Sequence, residues 1–95
     1  MKRYFIYIVS NPSRSVIYIG VTYDLARRME EHRSQADRNS FTARCNCSEL
    51  IYFEELPSAS DAIAREKQLK GWTRKKKWNL VLGLNPNLED LTYLL

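Results

Sequence analysis

Residues 4–21 read YFIYIVSNPSRSVIYIGV, and the way this stretch pairs with itself decides the rest of the fold. Tyr4-Phe5-Ile6-Tyr7-Ile8-Val9 is aromatic and β-branched, the composition of a strand covered on both faces. Val16-Ile17-Tyr18-Ile19-Gly20-Val21 repeats that composition. Between them, Asn11-Pro12-Ser13 is turn chemistry: proline presets φ, and the short polar side chains bond the local backbone. Two strands joined by so short a loop form a hairpin, so they run antiparallel. If Tyr7 sits opposite Tyr18, Val9 meets Val16 and Gly20 meets Phe5. Both phenols then lie on one side of the sheet, because strand side chains alternate with period two.

Working outward, Thr22 is placed to cap a helix from about Tyr23 to Ser34. Gln35 to Ser48 is polar and reads as a loop, and Leu50-Ile51-Tyr52-Phe53 as a third strand. Ser58 with Asp61 three residues on resembles a capping box, and Gly71 is placed to end that helix as a left-handed residue. Thr73 caps a third helix, which Gly83 closes. The expected order is β-β-α-β-α-α. This is an α/β chain of the α+β type: a three-stranded antiparallel sheet flanked by helices. At 95 residues there is room for one domain, expected over residues 1–83, with residues 84–95 a short C-terminal extension. That extension is apolar, and one reading docks it on a protein partner while another packs it on its own domain.

Composition excludes several function classes. No apolar run approaches the roughly 18 residues of a membrane span. Met1-Lys2-Arg3 leads into too short an apolar stretch for a signal peptide, so a cytoplasmic protein is expected. Cys45 and Cys47 stand too close for an unstrained mutual disulfide, and with a single His they fall short of a zinc site. Fifteen Lys and Arg against eleven Asp and Glu leave a net charge of +4, which permits a polyanionic partner without requiring one.

Three polar residues fall on faces that should be apolar. In the first helix Leu25 and Met29 mark the inward stripe, and Arg28 and His32 share it. In the second, Ala59, Ala62, Ile63 and Leu69 mark the stripe, and Glu66 projects between Ala62 and Ile63. A carboxylate there must be paired, protonated, exposed in a groove or bound to a cation. One resolution is a buried Arg28–Glu66 ion pair, with His32 a hydrogen-bonded core histidine and the tyrosines core packing. The other is a shared polar pocket: a carboxylate, a guanidinium, an imidazole and the phenols Tyr7 and Tyr18.

These residues resemble the GIY-YIG nuclease family, in its small stand-alone bacterial branch. Phe5-Ile6-Tyr7 is similar to the first half-motif, with Phe5 in place of its opening glycine, and Tyr18-Ile19-Gly20 to the second. Arg28 lies eight residues past Gly20, where the family has its arginine, and His32 follows one helical turn later. Ala64-Arg65-Glu66-Lys67-Gln68-Leu69-Lys70-Gly71-Trp72 resembles the segment carrying the family's metal-binding glutamate, here Glu66. Asn79 is the one candidate for an orienting asparagine and stays unassigned. The resemblance spans roughly Tyr4 to Gly83.

It implies a metal-dependent endonuclease hydrolysing DNA phosphodiester bonds, with branched or damaged DNA among the candidate substrates. One divalent ion, Mg²⁺ or Mn²⁺, is expected on Glu66, with water and phosphate oxygen completing its shell. Arg28 would clamp a non-bridging phosphate oxygen. Tyr7 is read as the base and Tyr18 as the positioning phenol, with His32 taking a proton or bonding a tyrosine. Lys67, Lys70, Arg74, Lys75, Lys76 and Lys77 would hold the DNA backbone, with Trp72 and Trp78 read as core. The alternative is a catalytically weak nucleic-acid-binding module, or a partner-dependent subunit, that retains the fold.

Overall fold

The computed structural model of the chain describes residues 3–34 and 44–95. The expected order of elements is found: β1 (Tyr4–Ser10), β2 (Ile17–Thr22), α1 (Leu25–Ser34), β3 (Glu49–Leu56), α2 (Ala59–Lys70) and α3 (Arg74–Leu84), followed by a 3-10 turn at Leu91–Leu94. The expected loop over Gln35–Ser48 falls largely outside the described residues. The sheet has three strands in the order β2-β1-β3, and both pairings are antiparallel. The third strand runs longer than Leu50–Phe53 because its polar end stays in the ladder, Glu54 pairing with Ile6 and Glu55 with Phe5.

Because β1 is central, both of its faces are covered. Ile6 and Ile8 point into one layer with Ile19, Ile51, Ala62, Leu69 and Val81, against which Trp72 and Trp78 pack. Tyr7 and Val9 point into the other, with Leu25, Met29, Cys47, Leu50 and Leu91. So α2 and α3 pack on one side of the sheet, and α1 with the 3-10 turn on the other. A register irregularity opposite Ile8 and Val9 leaves Ile51 as an extra residue between Leu50 and Tyr52.

The hairpin register differs from the expected one. Tyr7 faces Gly20 rather than Tyr18, Val9 faces Tyr18, and Phe5 faces Thr22. The cause lies in the turn, which Asn11 organises. Its Oδ1 accepts from Val16 N at 3.0 Å and its carbonyl accepts from Arg14 N at 3.0 Å, so Val16 belongs to the loop. Arg14 takes φ 61 to close it, and its guanidinium ties the turn to Glu49 and to Leu88 O. A slip of two residues keeps every side chain on its face, so Tyr7 and Tyr18 still share a side.

Four local expectations need correction. The cap of α1 is Asp24, whose Oδ1 accepts from Arg27 N at 3.1 Å, while Thr22 accepts from Asp24 N and so holds the cap residue. Gly71 ends α2 at φ −80 and not in the left-handed region, because its N–H still bonds back to Lys67 O and Gln68 O. Gly83 lies inside α3, which Asn85 closes. Asn85 is buried and holds the chain on both sides: Nδ2 donates to Ile51 O and Glu89 O, and Oδ1 accepts from Glu89 N. Ile63 is exposed rather than on the inward stripe. Ser58 and Thr73 cap α2 and α3 as expected, accepting from Asp61 N and Lys76 N.

Candidate active site

The centre of the site is the Tyr7 hydroxyl. Arg28 Nε donates to it at 3.0 Å, and His32 Nε2 lies 3.1 Å away. A guanidinium only donates, so the phenol oxygen accepts from Arg28, and it shares a second hydrogen bond with His32 Nε2. The His32 ring is neutral. Burial lowers the His32 pKa, and the charge of Arg28 lowers it further, which keeps the ring in that neutral state. Burial also pushes the Tyr7 phenol up, against the opposing pull of Arg28's hydrogen bond and charge. His32 is thus both a core histidine, 7% exposed, and a partner of the site.

Gly20 makes this geometry possible. The Tyr7 ring lies across it, and a Cβ at Gly20 would fall 2.5 Å from Tyr7 Cζ and 2.9 Å from Cε1. The glycine therefore serves close approach, with no positive φ involved. Tyr18 lies on the same face, its ring centroid 6.3 Å from that of His32 in an edge-on contact.

Arg28 does not pair with Glu66. Its Nη1 donates to Glu31 Oε1 at 3.2 Å, and Arg27 makes a longer contact of 3.9 Å with the same carboxylate. The Arg28 side chain stays 41% exposed, so a guanidinium edge remains open to solvent. Glu66 comes from the opposite layer, on α2, which packs along β1 and the edge strand β2. Its charge reaches Tyr7, and its side chain is 21% exposed. Lys70, one turn on, lies 3.4 Å from Glu66 Oε2 and 5.8 Å from the centre of the Tyr18 ring.

The structure brings Tyr7, Tyr18, Arg28 and His32 together on one face, and joins Glu66 to them through its charge on Tyr7 and through Lys70, which lies near both Glu66 and Tyr18. Tyr7 itself has no exposed surface at all. It touches Arg28 and His32 but offers nothing to water, which counts against reading it as the base. Sequence reasoning missed Glu31, and it placed Lys70 among backbone contacts rather than beside Glu66. The i,i+3 spacing of Arg28 and Glu31 was a visible signal for the first.

Among the described residues, no cluster of three or more His, Cys, Asp and Glu is placed to hold a metal. Glu66 alone is a hard oxygen donor in a partly enclosed position. That fits an ion keeping most of its water, as Mg²⁺ does with one carboxylate, and does not fit an all-protein cage.

The basic residues divide into groups. Arg74 Nη2 donates to Ser15 O at 2.7 Å, and its guanidinium lies 5.9 Å from the Trp78 ring centre, so it pins α3 to the hairpin. Lys76 sits 4.2 Å over the Trp72 ring. Lys67 and Lys75 are exposed, and Lys77 is half-buried. Trp72 and Trp78 are half-buried against the core, as expected.

The profile of the GIY-YIG catalytic domain matches residues 3–79. A UPF0213 protein of Haloquadratum walsbyi is 34% identical over 77 residues, covering 81% of this chain and 84% of that one. One from Staphylococcus aureus is 32% identical over 81 residues, covering 85% and 96%. The solution NMR structure of a UPF0213 protein from Bacillus halodurans superposes with a TM-score of 0.59 at 28% identity, covering 97% of this chain and 96% of the other.

Proposed function

The chain belongs to the GIY-YIG family, and from that premise we propose that it is a metal-dependent endonuclease hydrolysing DNA phosphodiester bonds. The observation that carries the reading is the open edge of Arg28. Its Nε is fixed by the buried phenol of Tyr7 and its Nη1 by Glu31, while the side chain stays 41% exposed. With those two nitrogens held, the exposed remainder of the guanidinium is suited to a phosphate oxygen.

The phenols divide the work by burial. Tyr7 orients Arg28 and is hydrogen-bonded to His32, so it is a positioning residue. Tyr18, half-buried on the same face, is the phenol at the water side. There, once its own proton has passed to solvent, the phenolate oxygen takes a proton from the attacking water as the water oxygen adds to phosphorus. The bond to the 3′ oxygen then breaks and that oxygen takes a proton from solvent, leaving a 3′ hydroxyl and a 5′ phosphate. Arg28 offsets the charge that builds on the non-bridging oxygens. Glu66 is the residue that would hold Mg²⁺ or Mn²⁺, which supplies positive charge for the leaving oxygen when bound. Lys67, Lys75 and Lys77 extend a basic surface along α2 and α3 for the DNA backbone, so binding should be shape-directed and steeply salt-dependent. A cytoplasmic location fits this role.

The test is incubation with a panel of flaps, forks, four-way junctions and damaged duplexes in Mg²⁺ or Mn²⁺. Cleavage is expected on at least one substrate, and it should fall about 10²–10³-fold with Arg28→Lys and with Glu66→Gln. Binding without cleavage, unchanged by Glu66→Gln, would instead establish the nucleic-acid-binding module. The ion pair that Lys70 makes at Glu66 favours that second reading.

A further inference from the structure

We propose that Lys70 is an exchangeable cation of the site: its ammonium holds the Glu66 carboxylate until a divalent cation takes that place, and then passes to a phosphate of the DNA backbone. The inference rests on the nuclease reading above.

Two contacts place the ammonium inside the site rather than beside it. Nζ lies 3.4 Å from Glu66 Oε2, and it stands 5.8 Å from the centre of the Tyr18 ring. An ordinary pair four residues apart on a helix surface is weak and screened by salt. Here the carboxylate is only 21% exposed, and the ammonium has an aromatic face as a second partner. Any hard cation approaching Glu66 competes with Lys70 for the charge of the same carboxylate. A divalent ion brings twice the charge, so it displaces the ammonium once its concentration suffices. The released lysine is 51% exposed on a flexible stem. It lies one turn beyond Lys67, in the last turn of α2.

The same logic is built on the other side of the site, where Glu31 neutralises Arg28 at 3.2 Å. The two functional charges each carry an internal counter-ion, so the resting site is self-neutralised. Exchange at Glu66 adds one phosphate contact to the protein. Divalent cation and DNA therefore favour each other's binding, by the same factor in both directions.

Titration with Mn²⁺ alone decides the first half, read as paramagnetic broadening of amides around Glu66. The proteins are wild type, Lys70→Met, Lys75→Met and Glu66→Gln. Lys75 is exposed in the first turn of α3, so its substitution removes one charge without touching Glu66. Lys70→Met should bind Mn²⁺ about fivefold or more tighter than Lys75→Met, and Glu66→Gln should lose the site. Equal affinities for the two lysine variants overturn the exchange while leaving Glu66 as the metal ligand. Broadening that survives Glu66→Gln overturns the ligand assignment and the exchange with it. For the second half, the salt dependence of junction-DNA binding is measured with and without Ca²⁺ at matched ionic strength. The wild-type slope should steepen by about 0.9 with the ion, one phosphate's worth, and the Lys70→Met slope should not change. A wild-type slope indifferent to Ca²⁺ removes the DNA half of the proposal.

Discussion

At Gly20 a hydrogen atom in place of a methyl group decides where the Tyr7 phenol can lie. A Cβ there would overlap the ring, and Tyr7 is packed on every side, so neither partner has room to yield. Gly20→Ala should therefore cost about 1–3 kcal/mol, the range for overpacking a filled core. A double-mutant cycle checks the cause: in a Tyr7→Leu background the same substitution should cost markedly less, measured by urea unfolding. The phenol's second partner gives a pH signature. His32 titrates below its ordinary 6.5 in the folded chain because of burial and Arg28, so the unfolded chain binds the proton more readily. Stability from this group is complete above pH 6.5 and is lost as pH falls from there through the folded value. Urea midpoints between pH 7.5 and pH 5 should fall in wild type, and the slope should flatten in His32→Gln. A slope identical in both would place the acid sensitivity elsewhere.

At the scale of elements, periodicity made the helices and strands visible, and the inward polar residues Arg28, His32 and Glu66 announced a site before any contact was known. What periodicity could not supply was which atom bonds which. The parity of the hairpin was legible and its register was not, because a two-residue slip leaves all faces unchanged and only the Asn11 turn distinguishes the two pairings. The cap of α1 shows the same limit. Thr22 and Asp24 are both good capping residues two positions apart, and the structure gives the cap to Asp24 while Thr22 braces it. Asp24→Ala should then cost about 1 kcal/mol, the usual loss for a cap, and Thr22→Ala less. Denaturant unfolding of the two variants separates them. Since α1 carries both Arg28 and His32, fraying at its start would loosen the hydrogen bonds to Tyr7 from the same end.

On the scale of the whole molecule, the question is whether residues 84–95 are an appendage or part of the domain. The structure ties them to the sheet at several points. Asn85 bonds the β3 backbone at Ile51 O. Asp90 Oδ1 accepts from Leu50 N at 3.2 Å, and its Oδ2 meets Arg33 of α1 at 2.6 Å. Leu91 is 6% exposed in the same layer as Tyr7, Leu25 and Met29. A thin core in a chain this short cannot spare such a side chain, because each buried aliphatic is a large share of a small total. Leu91→Ala should cost about 2–4 kcal/mol, as core truncations do. Tyr93, two residues on and 71% exposed, supplies the control, since Tyr93→Ala should stay within about 0.5 kcal/mol. Equilibrium urea unfolding reads both. Equal, small effects would make the segment an appendage free to dock elsewhere. The expected contrast makes it a clamp that closes the β3 side of the layer from which Tyr7 reaches Arg28, so losses there should weaken the site together with the fold.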